Sequence, residues 1–301
     1  MRLDDVLAGY VPGARGRDGL ALAVLLAEQA HARLTVATVQ PPARSTPGPA
    51  RAEESAWRAY LREQADATLA QARELVGELG GGPGGGGAEF VAHTHRGSGR
   101  GLVELARGRG ADVVVIGSAS GSGRGRISVG STADQLLHSS SVPVLLAPRG
   151  YGDQPPAAFD RLTVAYRRGP GCDAAVKDAA GTAAALGVPL RLVTLVISSG
   201  RRARIEEEML VRLRDQAAAD LHAAARGRQP SGRPAGRAVE VEVLEGRNVA
   251  QALGTTSWLP GEMIICASSD TGPLRRVFLG DTSMKIVRAS TCPVMILTRE
   301  P

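Results

Sequence analysis

The chain carries one long block twice. Residues 111–148 read ADVVVIGSASGSGRGRISVGSTADQLLHSSSVPVLLAP, and residues 261–298 read GEMIICASSDTGPLRRVFLGDTSMKIVRASTCPVMILT. An offset of 150 places Arg126 on Arg276, Gly130 on Gly280, Thr132 on Thr282 and Pro143 on Pro293. Each block is an apolar run, a loop with Gly and Ser, a short amphipathic stretch and a second apolar run opened by Pro-Val. The starts of the two halves match too: Val6-Leu7-Ala8-Gly9-Tyr10 corresponds to Leu162-Thr163-Val164-Ala165-Tyr166. A period this long means a duplicated domain, not a solenoid of short units. The length of 301 residues agrees, at roughly 100–200 residues per domain. The predicted domains are 1–149 and 160–301, joined by the Pro- and Gly-containing link Arg149–Asp160.

Within the first half, strands and helices alternate. Strands are predicted near 3–10, 34–39, 89–94, 112–116 and 142–147. Helices are predicted near 19–32, 53–79 and 99–109, with a last one opening after Gly130. In the long second helix Trp57, Leu61, Ala65, Leu69, Ala72, Val76 and Leu79 share a face. The Pro-rich loop 41–50 precedes it and the glycine run 80–87 ends it. The second half repeats the order, with strands near 162–166, 190–197, 238–243, 262–266 and 294–297. Such alternation predicts an α/β fold of two tandem Rossmann-like domains, each a five-stranded parallel sheet with helices on both faces. Aromatic residues make up only 3% of the chain, so the cores have to come from Ala, Val, Leu and Ile, which suits strands buried on both faces.

Composition narrows the function classes. The net charge is +6, but arginines are interspersed with acids, as in Arg201-Arg202-Ala203-Arg204 followed by Glu206-Glu207-Glu208. No basic stripe alternates with stacking aromatics, so nucleic acid is not expected as a partner. No apolar run approaches the ~18 residues of a membrane span. Acids stand at Asp4 and Asp5, where a leader would begin its apolar core, and a cytoplasmic location is expected. Cys172, Cys266 and Cys292 lack metal-ligand spacing and read as free thiols. His93 and His95 share a strand face without a third ligand nearby, and read as polar lining.

The chemistry concentrates after the fourth strand. In open α/β sheets ligands sit beyond the carboxyl ends of the strands. Here Gly117 ends the strand, Gly121, Gly123 and Gly125 lie in the loop, and Gly130-Ser131-Thr132 opens a helix. A helix N-terminus presents unpaired N–H groups and the positive end of a dipole, and the two hydroxyls add donors. That is a coherent phosphate cradle; a glycine-rich turn closed by an ordinary helix cap is the other reading. Gly125–Thr132 approaches a P-loop, but Ser131 stands at the lysine position. Arg126 and Arg124 could clamp phosphate oxygens or contact the end of the sheet, and both readings stay open. No nucleophile–base pair stands out, which leaves no case for catalysis beyond slow nucleotide hydrolysis.

These residues resemble the universal stress protein family across essentially the whole chain, as two copies. Nucleotide-binding members carry G-x2-G-x9-G-(S/T) between the fourth and fifth strands, and Gly117, Ser120, Gly130 and Ser131 stand at those places. The resemblance implies an adenine nucleotide, ATP or a relative, with or without Mg²⁺, held in the first domain by Gly117, Ser120, Gly130, Ser131, Thr132 and Arg126. In the second copy Ala267, Asp270, Gly280 and Asp281 occupy the same places. Asp281 is expected to cap its own helix and to repel phosphate. Both copies lack the acid that such members have after the first strand; Val11 and Arg167 stand there. The resemblance also implies that the last strands of two domains pair. A tandem chain could do this within itself as a pseudo-dimer, and a homodimer of the whole chain stays open. A scaffold with decayed sites is the alternative function.

Overall fold

The structure is a computed structural model and describes residues 1, 3–43, 51–80, 87–121, 123–198, 204–226, 239–267 and 281–298. The first half runs β1 (Asp5–Gly9), α1 (Ala14–Ala30), β2 (Arg33–Gln40), α2 (Arg51–Glu78), β3 (Glu89–Thr94), α3 (Ser98–Arg109), β4 (Val113–Gly117), α4 (Ser131–Ser139) and β5 (Val144–Ala147). A 3-10 turn at Tyr151–Asp153 lies in the link. The second half repeats the order as β6 (Arg161–Ala165), α5 (Pro170–Leu186), β7 (Leu190–Ile197), α6 (Arg204–Ala225), β8 (Glu240–Gly246), α7 (Val249–Leu253), β9 (Glu262–Ala267), α8 (Asp281–Ala289) and β10 (Val294–Leu297).

All ten strands form one sheet in the order β3-β2-β1-β4-β5-β10-β9-β6-β7-β8. Each half is parallel throughout, and the halves meet where β5 and β10 pair antiparallel, with Leu145 opposite Met295. The seam covers what would otherwise be two exposed apolar edges. Successive strand residues point to opposite faces, and both faces are packed. Val6, Val113, Val115 and Met295 join α1, α2, α5 and α6 in one apolar layer. Leu7, Val114, Ile116 and Val294 join α3, α4, α7 and α8 in the other. Both layers pass through the seam without interruption. Gln29 on α1 ties the halves further: its Oε1 accepts the Phe159 N–H at 2.7 Å and its Nε2 donates to the Leu186 carbonyl at 3.0 Å. The turns into β5 and β10 are built alike, with Ser140 Oγ donating to the Val142 carbonyl and Ser290 Oγ to that of Cys292.

Two details differ from the periodicity reading. α1 begins at Ala14 instead of near Gly19, because Gly16 and Gly19 dilute the helical pattern although both are buried within the helix. The apolar face of α2 is buried only from Ala65 onward; Trp57 is 46% and Tyr60 48% exposed, because the helix outruns the domain that covers it.

The second half contains a buried ion network at the amino end of its strands. Glu262 is fully buried and accepts from Arg161 Nη2 at 2.8 Å, Arg191 Nη2 at 2.7 Å and the Leu259 N–H at 3.0 Å, with the Thr163 hydroxyl also donating. Arg191, itself buried, lies 4.7 Å from the centre of the Trp258 ring. Burial alone would raise the Glu262 carboxyl; the hydrogen bonds from Arg161, Thr163 and Leu259 and the charge of Arg191 outweigh it and hold the pKa below its ordinary value. Among the described residues no helix is long and apolar enough to cross a membrane.

Candidate functional site

A cleft of about 350 Å³ opens at the carboxyl ends of β1 and β4. The strand order reverses there, since β1 lies between β2 and β4, so the α1 and α3 connections leave on opposite faces and part the chain at this edge. One wall is the end of β1 with the first turn of α1, contributing Gly9, Tyr10, Val11 and Arg15. The opposite wall is the start of α4, Gly130 to Ala133, with Ala119 and Ser120 of the loop above it. Ala37, Val39, Leu102 and Ile116 make an apolar side, and Ser98 closes the rim. No carboxylate is among these lining residues.

The polar end of the cleft is the N-terminus of α4. Gly130 is its N-cap, in extended backbone with φ −92° and ψ −178°, and among the described residues no side chain is seen to cap the helix. The first intrahelical bond runs from the Asp134 N–H to the Gly130 carbonyl at 2.8 Å, so the amides before it have no partner in the helix. α1 and α3 also start beside the cleft behind glycine N-caps, Gly13 and Gly97, and the Gln135 side chain of α4 accepts the Arg100 N–H in the first turn of α3 at 3.3 Å. A Cβ on Gly130 would come within 2.7 Å of the Ala119 Cβ, so a side chain there would push the loop off the helix end. Gly117 is tighter still. A Cβ on it would lie 1.8 Å from the Arg15 carbonyl oxygen, where α1 presses on the end of β4.

The loop is closed by its own bonds. The Ala119 N–H donates to the Ser128 carbonyl at 3.0 Å and the Ser128 N–H to Ser118 Oγ at 2.8 Å. Of the predicted site residues, Gly117, Ser120, Gly130, Ser131 and Thr132 are brought together around the cleft. The Thr132 hydroxyl shares a 2.7 Å hydrogen bond with Ser98 Oγ, which joins the starts of α3 and α4. Arg126 is not with them. Its guanidinium reaches the other way and donates to the carbonyl of Ala289 at the end of α8. The described contact of Arg126 is neither the phosphate clamp nor the sheet-end contact left open from sequence, but one with the end of a second-domain helix. Arg124 pairs with Asp153 at 2.9 Å.

The chain matches the universal stress protein family model twice, over residues 6–148 and 158–298. It is 33% identical over 301 aligned residues to universal stress proteins of Mycobacterium tuberculosis (strain H37Rv) and Mycobacterium bovis, covering 97% of this chain and 99% of theirs. The chain belongs to the universal stress protein family. Its fold is shared with the crystal structure of a universal stress protein from Archaeoglobus fulgidus, at TM-score 0.63 and 17% identity over 99% of this chain and all of that one. It is shared also with a functionally unknown protein from Pseudomonas aeruginosa, at TM-score 0.61 and 12% identity over 99% of this chain and 93% of that one.

The two halves of this universal stress protein differ at the corresponding position. Asp270, Gly280 and Arg276 lie outside the described residues, while Ala267 ends β9 and Asp281 opens α8. The self-cap expected of Asp281 is replaced, in its described contact, by an ion pair with Lys285 one turn along. The carboxylate still stands at the helix start, where it opposes an anion. His93 and His95 do not line the cleft: His93 Nε2 lies 3.4 Å from Glu104 Oε2, and His95 Nδ1 accepts the Gly97 N–H at 2.9 Å. Burial pushes the thiols of Cys266 and Cys292 up to about 12, so both stay protonated near neutrality. Sequence reading missed Tyr10, Arg15, Val39, Ser98 and Leu102 as cleft residues. Ser98 was findable, since it begins a helix just after a strand end; Tyr10, Arg15 and Val39 come to the cleft through the parallel pairing of β1 with β2 and β4, and Leu102 through the packing of α3 on the sheet.

Proposed function

We propose that this universal stress protein binds an adenine nucleotide, ATP or a close relative, in the first-domain cleft, and that the second domain does not bind one. The observation that carries this reading is the uncapped start of α4, with Gly130 to Ala133 facing a cleft whose other side is apolar. The phosphates would meet the free amides and the Ser131 hydroxyl, and the flat base would lie against Ala37, Val39 and Leu102. With no carboxylate along the cleft, any Mg²⁺ would arrive on the phosphates and be held by them. The reading assigns binding and no efficient catalysis, because no nucleophile and base face each other there. Calorimetric titration tests it: the wild-type chain takes up ATP at one site, and Gly130→Asp, which places a side chain against Ala119 and a carboxylate at the helix end, abolishes the heat. No uptake at millimolar ATP, with or without Mg²⁺, overturns it.

A second reading, an interaction module that binds no nucleotide, draws on the exposed Trp57–Tyr60 stack, whose rings are 5.4 Å apart in the N-terminal part of α2. The same titration separates the two.

A further inference from the structure

The link between the domains is fastened to both walls of the first-domain cleft. On the α1 wall, Asp18 is buried and accepts the N–H groups of Gly150 at 2.9 Å and Gly152 at 2.8 Å, and Arg17 Nε donates to the Gly152 carbonyl at 3.1 Å. These two residues follow Arg15, which lines the cleft, by one turn or less. On the loop wall, the Gly125 N–H donates to the Arg149 carbonyl at 2.8 Å and the Arg149 N–H to the Arg126 carbonyl at 3.0 Å, while Arg124 pairs with Asp153 at 2.9 Å. The same loop then passes the link altogether: the Arg126 guanidinium donates to the last carbonyl of α8, at Ala289. Ala289 precedes the Ser290 turn that sets Cys292 and β10, and β10 pairs with β5 at the seam. Since α1 and the 118–130 loop are the two sides that a ligand would draw together, α1 cannot move without loading the link, and the loop cannot move without loading both the link and the end of α8.

We propose that Arg126 and the link 149–153 couple occupancy of the first-domain cleft to the second domain, so that a nucleotide bound at Gly130 is sensed at the C-terminal end of α8 and the start of β10. This rests on the nucleotide reading above. Arg126 acts here as a positioning residue. It contacts the second domain through its side chain and the cleft only through its loop. A cation at a helix C-terminus satisfies an unpaired carbonyl and complements the dipole, so the contact favours one docked arrangement over a released one. A ligand that prefers the docked loop must then favour the docked α8, and by reciprocity the docked α8 must favour the ligand.

Hydrogen exchange on the full chain tests this, with ATP as the probe and calorimetry alongside. In the wild type, ATP slows exchange at 130–134, at 149–153 and at 286–296, by about five-fold or more at the remote segment. In Arg126→Ala the slowing at 130–134 persists and that at 286–296 is lost, and Arg126→Lys restores part of it. Slowing confined to the first domain in the wild type, or an unchanged remote response in Arg126→Ala, overturns the coupling while leaving nucleotide binding intact. If ATP fails to bind the wild type, the functional reading falls and the coupling is read without ligand. Arg126→Ala then speeds exchange at both 118–130 and 286–290 if the two move as a unit; a rise at 286–290 alone, the mark of a lost helix cap, overturns it.

Discussion

Gly117 owes its place to packing before any ligand is considered. Its missing Cβ lets the Arg15 carbonyl sit against the end of β4, and the missing Cβ of Gly19 would lie 2.5 Å from the Gly117 nitrogen. The second half has Ala175 and Ala267 at the matching places, so this close approach is a property of the first half alone. Gly117→Ala is expected to cost about 1–3 kcal/mol of stability or more, as overpacking against backbone does, and to weaken ATP binding by displacing the α1 wall. Chemical denaturation and titration measure the two effects. The first glycine of the motif thus has a structural cause that a spacing pattern conceals, whereas Gly130 has its cause at the helix end. The cysteines give another expectation at this scale. Cys266 and Cys292, buried and held protonated, resist alkylation in the folded protein at pH 8, while half-buried Cys172 reacts first; mass spectrometry after brief iodoacetamide treatment reads the order.

Among the elements, the strands were the most legible. Runs such as Val113–Ile116 and Val294–Leu297 have few polar residues, and only a sheet covered on both sides buries them fully. Helix faces were less so. The apolar positions of α2 continue to Trp57 in sequence, but periodicity states which face a helix has and not where its covering partner stops. Trp57→Ser is therefore expected to change stability by no more than about 0.5 kcal/mol, as surface substitutions do. Leu69→Ala on the same face, where the side chain is buried, is expected to cost about 2–5 kcal/mol. Paired thermal or urea melts decide this, and equal losses would mean that the Trp57 side chain is covered in solution. Of the cleft, the helix end at Gly130-Ser131 was readable because its chemistry is local. The apolar side made by Ala37, Val39 and Leu102 was not, because it is assembled from two elements, β2 and α3, far apart in the chain.

For the molecule as a whole, the seam and the buried network set the limits of stability. The Glu262 carboxyl is held below its ordinary value of 4.5 in the fold, so its contribution is complete above that value and is lost as the pH falls through the depressed folded one. The second half is accordingly expected to lose stability on acidification below about pH 4.5. Glu262→Gln flattens that dependence at the cost of stability near neutrality, and urea midpoints from pH 3 to 7 would show it. Arg191→Ala, which strips a buried carboxylate of one of its two guanidinium partners, is expected to cost up to about 3–5 kcal/mol. The first half has Asp112 at the matching position, accepting the N–H groups of Asp4 and Asp5 at 2.7 and 2.9 Å. One repeat therefore ends its strands with a backbone cap and the other with an ion network. The amino-acid order by itself determined the duplication, the alternation of strands and helices, and the helix start where an anion would be received, because each follows from neighbours within a few residues or from self-similarity. Only the tertiary structure decided that β5 and β10 join ten strands into one sheet, that the apolar cleft wall forms, and that Arg126 turns to the second domain instead of the cleft. Those outcomes depend on which distant surfaces find one another, and a guanidinium is drawn to whichever acceptor the folded chain brings within its reach.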